Sequence, residues 1–201
     1  MRRRALLAAL LLCAPAQPLP AQPLPAQQDA PLFDAESGLR IARYRAPVPT
    51  TPAGATRISA EQAAALHRRR GALFIDVLPA EAGHRDPASG RWALAAVHRS
   101  IPGARWFPES GRGVLAPDVE RWFLDGVKRL SKGVKSRPVI VFCLADCWMS
   151  WNAARRLVAD GYRDVRWFAE GTDGWRDIGL TLTPVTPENQ AAVTAPPSSP
   201  G

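Results

Sequence analysis

The sequence predicts an α/β fold, with a central, mostly parallel sheet and helices on both of its faces. Residues 138–142 are continuously apolar, and residues 73–77 are apolar except for Asp76, as expected of strands buried on both faces. Segments with helical spacing and helix-boundary signals alternate with such runs between residues 57 and 183. This alternation is typical of a parallel sheet whose strands are joined by helices.

The elements of the first half are indicated by their boundary signals. Ser59 and Gln62 form a capping-box pattern ahead of a helix that should end near Gly71. The first buried strand follows this helix. Residues 79–100 include a stretch with Gly, Pro and Ser and are expected to be irregular, before a short strand at residues 105–107.

The second half repeats the strand and helix pattern. Pro117 opens a helix whose apolar residues follow helical spacing. The apolar strand at residues 138–142 is followed by a predicted helix over residues 150–160. Residues 164–168 form a further strand, and a last helical turn begins at Gly174.

The N-terminus has the features of a secretory signal peptide. Three arginines precede the run ALLAALLLC, which is too short to cross a bilayer. Small-residue sites allow cleavage after Ala16, Ala21 or Ala26. We therefore predict a signal peptide at residues 1–26 and a periplasmic protein, and we expect no membrane span, since no later segment is apolar enough.

Composition divides the remaining chain into three parts. These are an N-terminal extension at 27–56, a single domain at 57–183 and a disordered tail at 184–201. The net charge is +8, but the arginines are scattered and three of them lie in the leader. This distribution favours a solvated surface over nucleic-acid binding.

Two cysteines, Cys143 and Cys147, lie where the apolar strand meets the following helix. A disulfide, a metal site, a nucleophile and an inert buried thiol are all compatible with this position. The three histidines lack metal-ligand spacing relative to the cysteines, so we expect no metal site and no cofactor. A disulfide would close a very small loop and stabilise little, which favours a redox role over a structural one.

Cys143 should lie at the carboxyl edge of the sheet, where ligands bind in α/β folds. The loop after it leads to a helix N-terminus, whose free N–H groups favour an anion. We therefore expect Cys143 to have the lower pKa, and Cys147 to resolve a persulfide or sulfenate formed on it. The expected loop residues are Leu144, Ala145, Asp146, Trp148, Met149 and Ser150.

Several motifs occur in the order in which rhodaneses carry them. They are an Asp-Val pair at Asp76, I-P-G-A at residues 101–104, Cys143 after a buried strand, and G-x-x-x-W at residues 171–175. The region from about residue 57 to 183 therefore resembles a rhodanese domain.

Three motifs also resemble a narrower family, the PQQ-dependent catabolism-associated CXXCW motif proteins. They are YRAPVP at residues 44–49, FCLADCW at 142–148 and GTDGW at 171–175, although the spacing here is C-x-x-x-C-W. The resemblance implies a periplasmic accessory to pyrroloquinoline-quinone alcohol oxidation. A quinoprotein dehydrogenase or its cytochrome is then a candidate partner.

The resemblance implies sulfur chemistry at the cysteine loop. In rhodaneses a cysteine accepts a sulfane sulfur and holds it as a persulfide bound by the loop amides. Carried over, Cys143 is the nucleophile and the substrate is a small sulfane-sulfur compound or a thiol. The alternative is a non-catalytic accessory that binds a partner through this loop.

The loop departs from the rhodanese pattern in its charge. Asp146 brings a negative charge, and residues 144–150 contain no arginine to offset it, so thiosulfate should be a poor substrate. Met149 occupies the position of the arginine in phosphatases of this fold, so we expect no phosphatase activity. Trp148 is predicted to contact a substrate or partner. Asp76 is expected either to orient the loop or to have a capping or surface role at its strand end.

Overall fold

A computed structural model describes residues 31–188 as a layered α/β fold. The predicted signal peptide and the residues after 188 lie outside the described part of the chain. The strands are β1 (Ala55–Ile58), β2 (Leu73–Asp76), β3 (His84–Arg85), β4 (Trp92–Ala93), β5 (His98–Ser100), β6 (Arg105–Trp106), β7 (Val139–Phe142), β8 (Val165–Phe168) and β9 (Thr183–Val185). The helices are α1 (Ala60–Arg68), α2 (Pro117–Ser131), α3 (Trp148–Ala159) and α4 (Gly171–Asp177).

The central sheet has five parallel strands in the order β1-β8-β7-β2-β6. Helices α1 and α4 cover one face, where Ala63 and Trp175 pack against apolar residues of the sheet. Helices α2 and α3 cover the other face, through residues that include Phe123 and Leu157. The predicted fold class is confirmed.

Local signals explain where the predicted helices begin. The Ser59 hydroxyl accepts a hydrogen bond from the Gln62 amide, and the Gln62 side chain accepts one from the Ser59 amide, as a capping box requires. Pro117 occupies the first turn of α2, where its missing N–H costs no helical hydrogen bond. All four residues of β7 are buried, as its continuous hydrophobicity predicted.

Residues 79–100 differ from the irregular segment that the sequence predicted. They contain β3 and β4, which pair antiparallel, and β5, which pairs antiparallel with β9. Strands of two or three residues are too short to produce an alternating pattern, so periodicity could not reveal them. Strand β9 also crosses the predicted start of the C-terminal tail at residue 184.

Residues 31–53 lie against the domain without forming helices or long strands. One of their attachments is Asn152 of α3, a fully buried residue. The Asn152 amide group donates to the carbonyl oxygens of Arg40 (2.8 Å) and Gly111 (2.9 Å), and its oxygen accepts from the Arg40 amide (2.9 Å). One side chain therefore ties the N-terminal segment to the helix that follows the two cysteines.

The sheet register brings two chain segments to one edge. Asp76 pairs with Phe142, so β2 and β7 end side by side. Cys143 leaves the sheet directly after Phe142, at the carboxyl edge of the parallel strands. Within residues 31–188, no helix has the length and hydrophobicity that crossing a membrane requires.

Candidate functional site

The two cysteines bracket a short loop between β7 and α3. Cys143 is fully buried at the end of β7, and Cys147 is the N-cap residue of α3. The helix therefore begins at Trp148, two residues before the predicted start at Ser150. Residues 148–151 are all buried, so this first turn has no polar face from which helical spacing could have been read.

Gly171 fixes the path of the loop from the other side. The Cys143 carbonyl accepts a hydrogen bond from the Thr172 amide at 2.9 Å, and Leu144 forms an antiparallel bridge with Gly171. Gly171 has a φ of +54°, and a Cβ at this position would lie 2.1 Å from the Cys143 carbonyl oxygen. Only glycine allows this approach, so the G-x-x-x-W motif contributes directly to the cysteine loop.

A segment of the N-terminal extension crosses the loop, and we call its residues 44–46 the strap. The Trp148 amide donates to the Tyr44 carbonyl at 2.9 Å, and the Ala46 amide donates to the Asp146 carbonyl at 2.9 Å. Arg45 forms an antiparallel bridge with Cys147, and its guanidinium donates to the Ala145 carbonyl at 2.9 Å. Cys147 lies beneath the strap and is only 3% exposed.

The two cysteines are free thiols whose side chains hydrogen-bond to each other. The Cys143 sulfur also lies 3.5 Å from the Cys147 carbonyl oxygen and 3.7 Å from the Leu144 carbonyl oxygen. Carbonyl oxygens can only accept, so this environment favours the protonated thiol. Burial and the neighbouring Cys147 sulfur raise the pKa of Cys143 well above its usual value.

Cys147 has the opposite environment, and its pKa is lowered to about 7. The largest cause is the hydrogen bond from the Cys143 thiol, which outweighs the effect of burial. The amides of Met149 and Leu144 and the positive charge of Arg45 add to the stabilisation of the thiolate. This order is the reverse of the one expected from the sequence, because burial is the largest influence on Cys143 and the hydrogen bond from Cys143 is the largest influence on Cys147.

The loop amides are already engaged within the chain. The Ala145 amide donates to the Asp173 carboxylate at 3.1 Å, and the Trp148 amide donates to the strap. The amides of Leu144 and Met149 act on the Cys147 sulfur, and that of Ser150 acts on the Cys143 sulfur. The predicted anion-binding loop thus binds the thiolate of its own cysteine, and the strap closes it.

Ser150 lies in the first turn of α3, beneath the cysteine loop. Its hydroxyl donates to the Cys147 carbonyl at 3.3 Å and accepts from the Trp167 indole N–H at 3.0 Å. It also acts on the Cys143 sulfur. The indole of β8 therefore fixes a hydroxyl that contacts both halves of the dithiol.

Trp148 and Met149 do not lie where the sequence placed them. Trp148 is 6% exposed and packs edge-to-face against Phe33 and Trp151, beneath the guanidinium of Arg40. Met149 is buried in the first turn of α3. Trp148 cannot contact a substrate or partner in this conformation, because the N-terminal segment covers it.

Asp146 is the exposed residue of the loop and has a φ of +51°. Beside Ala145 and Asp146 lies a pocket of about 90 Å³, which Val48, Arg57, Trp167, Ala169 and Glu170 also line. This pocket is the opening next to the loop, and the strand β1 residue Arg57 pairs there with Glu170 at 2.8 Å. A small molecule that approaches the loop through this pocket contacts the positive Arg57 and the negative Glu170 and Asp146.

Asp76 is fully buried at the end of β2 but faces another part of the fold. Its carboxylate accepts hydrogen bonds from Ser100 (2.6 Å), from the Leu78 amide (2.8 Å) and from the His98 ring (2.8 Å). These contacts attach β5 to the sheet. Among the described contacts none joins this carboxylate to residues 143–147, so its predicted alternative role at the end of its own strand is the one that the geometry supports.

Sequence reasoning missed Arg45 and Asp173 as site residues. Both lie far from the cysteines in sequence and reach the loop only through tertiary contacts. The one available signal was that both belong to the motifs YRAPVP and GTDGW, which frame the cysteine motif. Residues 31–188 contain no group of three or more side chains that could hold a metal ion.

Neither the models of known protein families nor the curated proteins gave a match to this chain. Among solved structures, the chain is similar to a thiosulfate sulfurtransferase from Pseudomonas aeruginosa, with a TM-score of 0.46 and 21% identity over 64% of this chain. The match spans only 20% of that enzyme's length.

The matches to two other structures span a larger share of those proteins' length. A polysulfide-sulfur transferase homodimer from Wolinella succinogenes has a TM-score of 0.40 and 20% identity, over 66% of this chain and 80% of that one. A rhodanese-like domain from Anabaena sp. has a TM-score of 0.41 and 19% identity, over 76% of this chain and 92% of that one.

Proposed function

We propose that this chain transfers sulfane sulfur through a dithiol in which Cys147 is the nucleophile and Cys143 the resolving thiol. The observation that carries the proposal is the contact between two free thiols, one of which has a pKa of about 7. The lowered pKa of Cys147 raises its share of thiolate at neutral pH, and the thiolate is the form that attacks sulfur.

The first step moves one sulfur atom onto Cys147. Its thiolate attacks the outer sulfur of a persulfide donor, RS–SH. A new S–S bond forms at Cys147, the donor's S–S bond breaks, and RS⁻ leaves. The product is Cys147–S–SH, and neither the atom count nor the net charge changes. An external thiolate can then take the outer sulfur, which completes a transfer and restores Cys147.

The second cysteine offers another outcome. Cys143 attacks the inner sulfur of the Cys147 persulfide, forms the Cys143–Cys147 disulfide and releases hydrogen sulfide with the Cys143 proton. The sulfane sulfur gains two electrons and the two cysteines lose them. An external dithiol must reduce the disulfide before the next cycle. The hydrogen bond between the two side chains places the attacking sulfur next to its target.

Access to the sulfurs requires the strap to move, because both cysteines are buried beneath it. Its attachment to the loop consists of two backbone hydrogen bonds and the Arg45 side chain. A few exposed hydrogen bonds of this kind can open without unfolding of the domain. We therefore assign the described conformation to the resting, shielded state of the site.

The place of action is a further part of the proposal. The signal-peptide features at residues 1–26 support export to the periplasm, and the resemblance of three motifs to those of the CXXCW family supports a link to pyrroloquinoline-quinone alcohol oxidation. The partner would then be a quinoprotein dehydrogenase or its cytochrome. N-terminal sequencing of the protein from its native host should begin between Gln17 and Gln27, and an intact Met1 would contradict export.

The proposed chemistry is tested with the reduced protein and inorganic polysulfide. Intact-mass spectrometry after a brief pulse should first show one added sulfur. The added sulfur should then leave as hydrogen sulfide, so that the disulfide form has a mass two hydrogens below that of the reduced protein. Peptide mapping should place the early modification on Cys147. A protein that retains two unmodified thiols after the pulse would exclude this function.

A further inference from the structure

We propose that Arg45 is the anion-binding residue of the dithiol site, which holds the Cys147 thiolate and recognises the negative end of an incoming sulfur donor. The inference rests on the proposed function and names the residue that selects an anionic substrate. The loop itself contains no arginine between residues 144 and 150, so the cation comes from the strap.

The backbone places Arg45 beside the sulfur. The hydrogen bonds of its two neighbours, Tyr44 and Ala46, hold the strap in register with the loop on both sides of Cys147. Residue 45 pairs directly with Cys147 in the antiparallel bridge. The guanidinium bonds to the carbonyl of Ala145, within the same loop. Two backbone hydrogen bonds, which form this bridge, and one side-chain hydrogen bond therefore position the charge.

The other charged groups near the loop do not supply this cation. Asp146 and Asp173 are acidic, and Asp173 also pairs with Arg176. Arg57 pairs with Glu170. Arg40 lies over the Trp148 ring and donates to the backbone carbonyls of residues 42 and 43. The Tyr44 hydroxyl accepts from the Gly113 amide.

Arg45 also keeps the capacity to bind an anion from solution. A guanidinium has five N–H donors, and the described contact with Ala145 uses one of them. The side chain is exposed, so the remaining donors can reach an approaching ligand. A persulfide, a polysulfide and thiosulfate all carry negative charge near the sulfur atoms. The chemical class that fits this site is therefore a small anionic sulfur compound.

The test compares two electrophiles of nearly equal size, neutral iodoacetamide and anionic iodoacetate, on the reduced full-length protein. The rate at Cys147 is followed by peptide mass spectrometry for wild type, Arg45→Gln, Arg45→Lys and Arg99→Gln. Arg99 is the matched control, since it is an exposed arginine that donates to a single backbone carbonyl, that of Leu182, in another part of the fold.

We expect Arg45→Gln to lower the ratio of the iodoacetate rate to the iodoacetamide rate about threefold at low salt, because a nearby charge attracts the anion. Arg45→Lys should keep most of the ratio, and Arg99→Gln all of it. The midpoint of the iodoacetamide pH profile should rise in Arg45→Gln alone. At high pH, where Cys147 is fully ionised, the alkylation rate reaches a plateau that reports how often the strap opens. A higher plateau in Arg45→Gln without a change of the midpoint would mean that Arg45 only closes the site.

An unchanged ratio and an unchanged midpoint in Arg45→Gln would overturn the inference, as would equal effects of the Lys and Gln variants. The outcome is independent of sulfur transfer, because alkylation needs no sulfur donor. If polysulfide leaves no persulfide on the wild type while the Arg45 effects are present, the proposed reaction fails and the role of Arg45 at the thiolate stands.

Discussion

The Cys143 sulfur lies 3.5 Å from the backbone carbonyl oxygen of Cys147. The single proton of this thiol also faces the Cys147 side chain, and the hydrogen bond from Cys143 is the largest cause that lowers the pKa of Cys147. The proton therefore stays on Cys143, and the negative charge forms on Cys147. In the proposed reaction this order decides which sulfur attacks and which one resolves, and it follows from the burial of Cys143 and from the hydrogen bond that Cys143 makes to Cys147.

The division of labour can be measured with two single variants. Cys147→Ser should lose rapid labelling by polysulfide, since burial, the largest cause of the raised pKa of Cys143, remains in this variant. Cys143→Ser should still accept sulfur and should accumulate a persistent persulfide on Cys147, because nothing resolves it. Mass spectrometry after a pulse distinguishes the two. Fast labelling of Cys147→Ser would show that Cys143, and not Cys147, is the nucleophile.

Stability should depend on pH in a way that reports the same assignment. The pKa of Cys147 falls from its usual value near 9 to about 7, so the unfolded chain binds more protons between these values. The free energy of unfolding of the reduced protein should therefore rise by about 2 kcal/mol from pH 7 to pH 9. Above pH 9 it should fall, since Cys143 stays protonated only when folded.

Urea denaturation at a series of pH values checks this curve. Cys147→Ser should lose the rise between pH 7 and pH 9, because serine does not ionise there. Cys143→Ser should keep part of the rise, through the amides of Leu144 and Met149. A flat curve for the reduced wild type would show that Cys147 titrates in the folded state as it does in the unfolded chain.

Asp146 offers a test of how charge selects the substrate. Its φ of +51° suits glycine and asparagine better than most residues. Asp146→Gly and Asp146→Asn both remove the negative charge and keep this backbone conformation accessible. Both should raise thiosulfate:cyanide transfer above a low wild-type rate by a similar factor. A gain in the glycine variant alone would assign the effect to loop flexibility.

The sequence predicted the parts of the site that depend on local pattern. A continuous apolar run gave β7, and its end gave the position of Cys143 at the sheet edge. The closing glycine motif was visible because its spacing is local. The pKa order of the cysteines was not predictable, because it depends on the hydrogen bond between the two side chains and on the burial of Cys143, which only the tertiary fold sets.

The loop should require glycine at position 171 for two reasons, the close approach of the Cys143 carbonyl and the positive φ of the backbone. Gly171→Ala would place a Cβ 2.1 Å from the Cys143 carbonyl oxygen, at a φ of +54°. Gly179→Ala is the matched control, since φ is +80° there and no atom lies within 4 Å of the added Cβ. We expect the control to cost about 1 kcal/mol and Gly171→Ala clearly more.

The readout for these two variants is the melting temperature, together with the midpoint of Cys147 alkylation. Gly171→Ala should shift the midpoint, because displacement of residues 143 and 144 moves the donors of the thiolate. Gly179→Ala should leave it unchanged. Equal melting temperatures would mean that the loop accommodates the methyl group without strain.

The hydrogen bonds of Asn152 should determine how often the strap detaches from the cysteine loop. Asn152→Ala removes three buried hydrogen bonds, two of them to Arg40, and leaves their backbone partners unpaired, at a cost of about 3 kcal/mol. Because Arg40 precedes the strap by only a few residues, the N-terminal segment should detach more often. Limited proteolysis should then cut within residues 31–49, and the high-pH plateau of Cys147 alkylation should rise.

A destabilised control separates this local effect from general unfolding. Ser100→Ala removes one buried hydrogen bond to Asp76, on the part of the fold that holds β5. It should lower the melting temperature without exposing the N-terminal segment, because neither Ser100 nor Asp76 contacts that segment in the described hydrogen bonds. If both variants expose Cys147 equally at matched stability, the dithiol opens only through global unfolding. Selective exposure in Asn152→Ala would show that the strap opens as an independent unit.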